Sequence, residues 1–149
     1  RDSSTSRGLG DVYKRQVMEK IIVQIGWCDN YCAASDEILG CVACSDTIEG
    51  IKKEYRSALD FHIKGMLEDG DELPEKLKNE YELVFELDTS AMLHSLDGIV
   101  TRKAIAKVTG INEALLTHYA NGFRKPRPVQ RQRIIDGIHQ IGRELTLIG

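Results

Sequence analysis

No stretch of about eighteen consecutive apolar residues occurs in this 149-residue chain, so the sequence offers no helical membrane span. No apolar segment followed by small residues stands near its beginning, which argues against a secretory signal and for a cytoplasmic protein. No internal repeat or low-complexity tract appears after residue 17, which excludes solenoid and linker-like architectures. Net charge is small as well: 20 Lys and Arg against 23 Asp and Glu leave −3. The four cysteines lack the secretory context in which disulfides persist. What is present, 42% hydrophobic and 29% charged residues, reads as a soluble globular chain of one ordinary domain or two small ones.

Residues 1–17, RDSSTSRGLGDVYKRQV, have no hydrophobic period. They look like translated adapter or vector sequence, with a disordered native tail as the alternative, and the fold reading starts at Met18. Beyond that point the small net charge hides a partition. Residues 18–97 carry seven basic and eighteen acidic residues, whereas residues 98–149 carry nine basic and three acidic. An acidic half followed by a basic half predicts two modules with different partners. The basic half is suited to phosphate, and the acidic half to a basic protein.

Lys20–Cys28 alternates Ile21, Val23, Ile25 and Trp27 with smaller or polar residues, the pattern of a strand with one apolar face. Asp29-Asn30 is a turn signal, Tyr31–Ser35 returns as a second strand, Ile38-Leu39-Gly40 breaks the pattern, and Cys41–Cys44 makes a third. Asp46 is placed to cap a helix, with Glu49 completing a capping box. Ile48, Ile51, Tyr55, Ala58, Leu59, His62 and Met66 form the buried stripe of about five turns. An acidic loop follows Leu73-Pro74, and Tyr81–Leu87 is a fourth strand. The order β-β-β-α-β predicts an α+β layer over residues 18–87.

From Asp88 the period becomes helical. Short helices are expected over Thr89–Leu96, Arg102–Val108 capped by Thr101, and Glu113–Asn121 capped by Asn112. Gly110 sits where the turn between the last two needs positive φ. Pro128 opens a final helix lined by Ile134, Ile138, Ile141 and Leu145. Within Arg102–Asn121, Ala106 is the small residue at a helix crossing, and Ile105, Ile111, Leu116 and Tyr119 pin the helices together. This spacing predicts a helix-turn-helix. Arg124, Lys125, Arg127, Arg131 and Arg133 crowd the loop and helix that follow, which a plain packing unit does not explain.

Thr101, Ala106, Gly110, Ile111, Tyr119 and Asn121–Pro126 (NGFRKP) resemble the Cro/repressor-type (XRE) helix-turn-helix family. That resemblance implies that the helix from Glu113 enters the major groove. Glu113, Ala114, Thr117 and His118 would then face base edges, Glu113 accepting from cytosine and Ala114 packing on a thymine methyl. Thr117 and His118 are equally suited to holding phosphates, and Asn112, Asn121, Arg124, Lys125 and Arg127 complete the implied DNA-binding set.

The front half also carries landmarks: KIIVQI, YCAAS, Ile38-Leu39-Gly40-Cys41, Asp46-Thr47, and FHIKGMLEDGDELP at Phe61–Pro74. Together these resemble the HicB antitoxin family over about residues 18–149, with Leu39 where that family usually has Pro. The resemblance implies a partial ribonuclease-H-like domain over 18–87 followed by an all-α helix-turn-helix domain over 88–149. It implies an antitoxin that neutralises a HicA-type mRNA-cleaving toxin and represses its own operator as a homodimer or higher oligomer. The competing expectation is a stand-alone helix-turn-helix regulator whose front domain senses a ligand or oligomerises.

Cys28, Cys32, Cys41 and Cys44 are spaced loosely like zinc ligands, but they fall on strands rather than knuckle turns, so the expectation is small buried hydrophobes and no metal. Asp36, Glu37, Asp46 and Glu49 have the chemistry of a metal-dependent nuclease but not the converging placement, so neither enzyme activity nor a cofactor is expected. His62 reads as structural, and His94 and His139 carry no signal.

Overall fold

The computed structural model describes residues 18–149. The adapter-like reading of residues 1–17 lies outside them. The chain is α+β, a four-stranded sheet and six helices among the described residues. Strand β1 spans Glu19–Trp27, β2 Tyr31–Ser35 and β3 Ile38–Ser45. Helix α1 spans Ile48–Glu68, α2 Glu75–Lys78, and strand β4 Tyr81–Leu87. Helices α3 (Thr89–Ser95), α4 (Arg102–Thr109), α5 (Glu113–Ala120) and α6 (Pro128–Thr146) follow.

The sheet order is β3-β2-β1-β4, with β1 antiparallel to β2 and parallel to β4. Alternation decides the faces. Ile21, Val23 and Ile25 are fully buried, as are Ile51 and Tyr55 of α1, and Leu59 is nearly so. Leu83, Phe85 and Leu87 of β4 pack on this cluster, so one face of the sheet is closed by α1. The other face carries Ile22, Gln24, Ala34, Val42 and Cys44, all exposed.

Three local expectations are corrected. Strand β3 begins at Ile38, not Cys41. The ladder slips between Ala34 and Ser35, and Gly40 at φ 87° takes up the irregularity as a bulge without ending the strand. Ser35 seals the slip, donating to Ile22 O at 2.7 Å. The cap of α1 is Thr47, whose hydroxyl accepts from Gly50 N at 2.9 Å, rather than Asp46. The acidic loop contains the single turn α2, held by buried Leu77.

Cysteine placement corrects a fourth expectation. Cys41 is a buried hydrophobe as foreseen, and burial raises its thiol pKa. Cys32 and Cys44, however, face each other across β2 and β3 and are paired as a disulfide, while Cys28 is exposed.

A second core collects Leu93, Ile105, Ile111, Leu116, Tyr119, Ala120 and Ile134, so all four expected pins are buried. Leu145, expected on the same stripe, is exposed because α6 runs past the helices it packs on. Helix α3 serves both cores: Ala91 belongs to the sheet cluster and Leu93 to the helical one. Gly137 allows the close approach of α6 to α4, since a Cβ there would collide with the Thr109 methyl. Gly137→Ala should therefore lower the melting temperature. Overpacking costs ~1–3 kcal/mol, which outweighs the roughly 1 kcal/mol helix-propensity gain of Ala over Gly. A higher melting temperature in calorimetry would show that α6 can move aside.

Candidate nucleic-acid interface

Each helix of the candidate site is started by its own side chain. The Thr101 hydroxyl accepts from Ala104 N at 3.0 Å and opens α4. Asn112 Oδ1 accepts from Ala114 N at 2.8 Å and opens α5. Both caps satisfy backbone donors that a helix start leaves free. Between them Gly110, at φ 76°, donates to Ala106 O at 2.8 Å and ends α4 in the left-handed conformation that glycine adopts without strain. The thirteen residues from Thr101 thus hold two helix starts and one helix stop.

Helix α5 turns Leu116, Tyr119 and Ala120 into the core. Its other side presents Glu113, Ala114 and His118 to solvent, with Thr117 half-buried. Asn112 and Asn121 are exposed at its two ends. The chain then reverses: Phe123 N donates to His118 O at 2.9 Å, and the Phe123 ring meets the His118 ring edge-on at 5.9 Å. Arg124, Lys125 and Arg127 follow in the loop that leads to α6. None of these three side chains makes a hydrogen bond or ion pair among the described residues, and all are exposed. Every residue in the expected DNA-binding set therefore lies on α5, its cap or the loop after it.

The rest of the basic cluster does other work. Arg131 donates from Nη2 to Leu87 O at 2.8 Å and reaches Thr89 Oγ1, clasping the end of β4 to α6. Arg133 donates to Thr109 O at 2.7 Å, closing the open carbonyl end of α4. These two arginines explain part of the charge as architecture. Two cations the sequence reading passed over, Lys103 and Lys107, flank a shallow cavity between α4 and the start of α5. Their i, i+4 spacing on a helix followed by a capped turn was the available signal.

The junction between sheet and helices also uses residues that had no apparent role. The His94 ring stacks on Trp27 with centroids 4.2 Å apart, and its Nε2 lies 3.0 Å from Ala120 O at the end of α5. Asp88 caps α3 through Ala91 N and accepts from Ser90, whose hydroxyl accepts in turn from Trp27 N at 3.0 Å. A cavity of about 490 Å³ opens beside this junction, lined among others by Gln24, Cys32, Asp88, Arg124 and Lys125.

The four carboxylates weighed as nuclease residues do not converge. Glu37 is held by Lys76 and by Ile22 N–H, and these bonds keep its carboxyl below the ordinary range. Asp46 lies next to the α1 cap, and Glu49 is exposed in its first turn. Among the described residues no three His, Cys, Asp or Glu side chains are placed to hold a metal ion. No helix of the described chain is long and apolar enough to cross a membrane.

No family model matches the chain. It is similar to an uncharacterized 14.9 kDa protein in the rep-hol intergenic region of Haemophilus phage HP1 (strain HP1c1). The two are 27% identical over 108 residues, which cover 70% of this chain and 80% of the phage protein.

Proposed function

We propose that the chain is a HicB-type antitoxin of a type II toxin–antitoxin pair. In this reading the front unit has the partial ribonuclease-H-like fold and covers a small basic HicA-type ribonuclease. The back unit is a Cro/repressor-type helix-turn-helix that binds operator DNA, as a dimer or higher oligomer, and represses its own transcription. The protein acts by binding and is not itself an enzyme.

One observation carries the DNA half of this reading. Arg124, Lys125 and Arg127 are exposed in the loop that follows α5 and make no hydrogen bond or ion pair among the described residues, and α5 itself exposes Glu113, Ala114 and His118. A basic loop that follows a capped, solvent-facing helix suits phosphate anchoring with base-edge contact. The excess of acid in residues 18–97 supports the other half, because it disfavours DNA and complements a basic protein.

Two measurements test the reading. Co-expression with the adjacent reading frame should yield a stable complex and relieve that frame's toxicity. Binding of the full chain to its upstream DNA should weaken on the order of 100-fold between 50 and 200 mM salt if about four phosphates are contacted per protomer. A flat salt response would sink the DNA assignment.

The cavity at the junction favours a second reading, a regulator whose front unit senses a small ligand, because two of the DNA-facing cations also line it. An adjacent frame that neither binds nor harms the cell would favour that alternative.

A further inference from the structure

The pairing of Cys32 with Cys44 follows from the sheet. The ladder sets Tyr31 opposite Ser45, Cys32 opposite Cys44 and Ala33 opposite Ala43. It holds the two cysteine Cα atoms 4.2 Å apart, the close separation of a non-hydrogen-bonded antiparallel pair. Backbone bonds on both sides maintain that approach, so the two sulfurs stay neighbours whether or not they are bonded.

Alternation then decides who can reach them. Tyr31 and Ala33 point into the core, whereas Cys32, Ala34, Val42 and Cys44 lie on the face that no helix of the described residues covers. Cys44 is exposed and Cys32 half-buried on the wall of the junction cavity. Cys41, three residues back along the same strand and so on the opposite face, is 3% exposed and out of reach. Among the described residues strand β3 is also a sheet edge, paired on one side only. Exposed disulfides are the ones that exchange readily with small thiols, while buried structural ones resist.

We propose that Cys32 and Cys44 form a reversible thiol–disulfide site whose co-substrate is a small-molecule disulfide. The thiolate of Cys44, the more exposed, attacks the small disulfide. A sulfur–sulfur bond forms to the protein, and one small thiol leaves with a proton. The thiolate of Cys32 then attacks Cys44, forming the intramolecular bond and expelling the second small thiol. Two protein thiols are oxidised and one small disulfide is reduced to two thiols. Excess small thiol runs the same steps backwards. Because the ladder holds the partners together, closing requires no refolding. The closed state pins the edge strand β3 to β2.

The test uses the full chain equilibrated in glutathione buffers from fully reduced to fully oxidised. Each sample is alkylated by a brief pulse of excess iodoacetamide in native buffer, before and after denaturation, and analysed by peptide mass spectrometry. In reduced buffer Cys28, Cys32 and Cys44 should be labelled rapidly, in oxidised buffer Cys28 alone, and Cys41 only after denaturation. Circular dichroism should be the same in both states. The oxidised chain should melt roughly 5–10 °C higher, because the cross-link restricts a short loop of the unfolded chain. That difference should vanish in Cys44→Ser and persist in Cys28→Ser. The proposal is overturned if the pair stays labelled at every buffer ratio. It is equally overturned if the bond survives reduced buffer until the chain unfolds, or if mapping finds Cys28 joined to either partner.

Discussion

Under the proposed antitoxin reading, replacing Arg124 and Lys125 by Glu should abolish operator binding while leaving toxin neutralisation intact. Both side chains are exposed and unpartnered among the described residues, so their reversal should cost the fold within about 0.5 kcal/mol. At a DNA surface the same change removes two phosphate contacts and introduces repulsion. A loss of roughly 100-fold or more at physiological salt is expected, with a shallower salt dependence in whatever binding remains. Thr117→Ala combined with His118→Ala removes polar groups from the outward side of α5 and should relax sequence preference more than it weakens non-specific binding. Mobility shifts on operator and unrelated DNA, alongside growth rescue from the toxin, read both outcomes. If the Glu variant releases toxicity yet still represses, the partners have been assigned to the wrong halves.

Leu116→Ala should unfold the helical unit and spare the sheet. Leu116 is fully buried at the centre of the second core, among Ile105, Ile111, Tyr119 and Ile134. Truncating such a residue costs ~2–5 kcal/mol, a large fraction of what a unit of this size has available. The front core draws on Ile21, Val23, Ile25, Tyr55 and Leu59 and shares none of the helical core's side chains. DNA binding should therefore be lost while toxin binding survives, and calorimetry should split into two transitions. Leu116→Met, close in volume, should cost under about 1.5 kcal/mol and keep one transition. Tyr55→Ala is the converse. Its ring fills the front core, and its hydroxyl meets only the weakly bonding thiol of Cys41 and finds no oxygen or nitrogen partner among the described residues, so Tyr55→Phe should cost almost nothing. Loss of the sheet in Leu116→Ala would mean that the two cores melt as one.

The contrast between residues read correctly and those missed follows the range of the forces involved. Tyr81–Leu87 was legible because its alternation is local, and Thr101, Gly110 and Asn112 because caps and turns act within four residues. Leu116 and Tyr119 were legible because their i, i+3 spacing puts them on one side of α5, and Ile105 and Ile111 because they flank the turn at Gly110. The start of β3 was not, because a glycine that breaks a flat strand also serves a bulge, and only the register with β2 distinguishes the two. That slip in register also hid the meeting of Cys32 with Cys44. Thr47 displaced Asp46 as the cap by one position, which lies within the reach of either side chain. Helix α2 is too short to show a period. His94, Arg131 and Arg133 gain their roles from carbonyls 24 to 44 residues away, and no spacing rule reports such partners.

The parallel pairing of β1 with β4 sets an order of events during synthesis. Glu19 must find Tyr81 and Ile25 must find Leu87, partners more than sixty residues downstream. The first three strands and α1 can assemble from local hairpin and helix contacts as they leave the ribosome. Until Leu87 emerges, however, β1 is an unpaired edge with Leu83, Phe85 and Leu87 still missing from the core beneath it. The front unit is thus completed only as the segment leading into α3 appears, and Ala91 and Arg131 fasten it later still. A nascent chain stalled before residue 81 would display an open strand template, the form most prone to pair with a neighbouring copy.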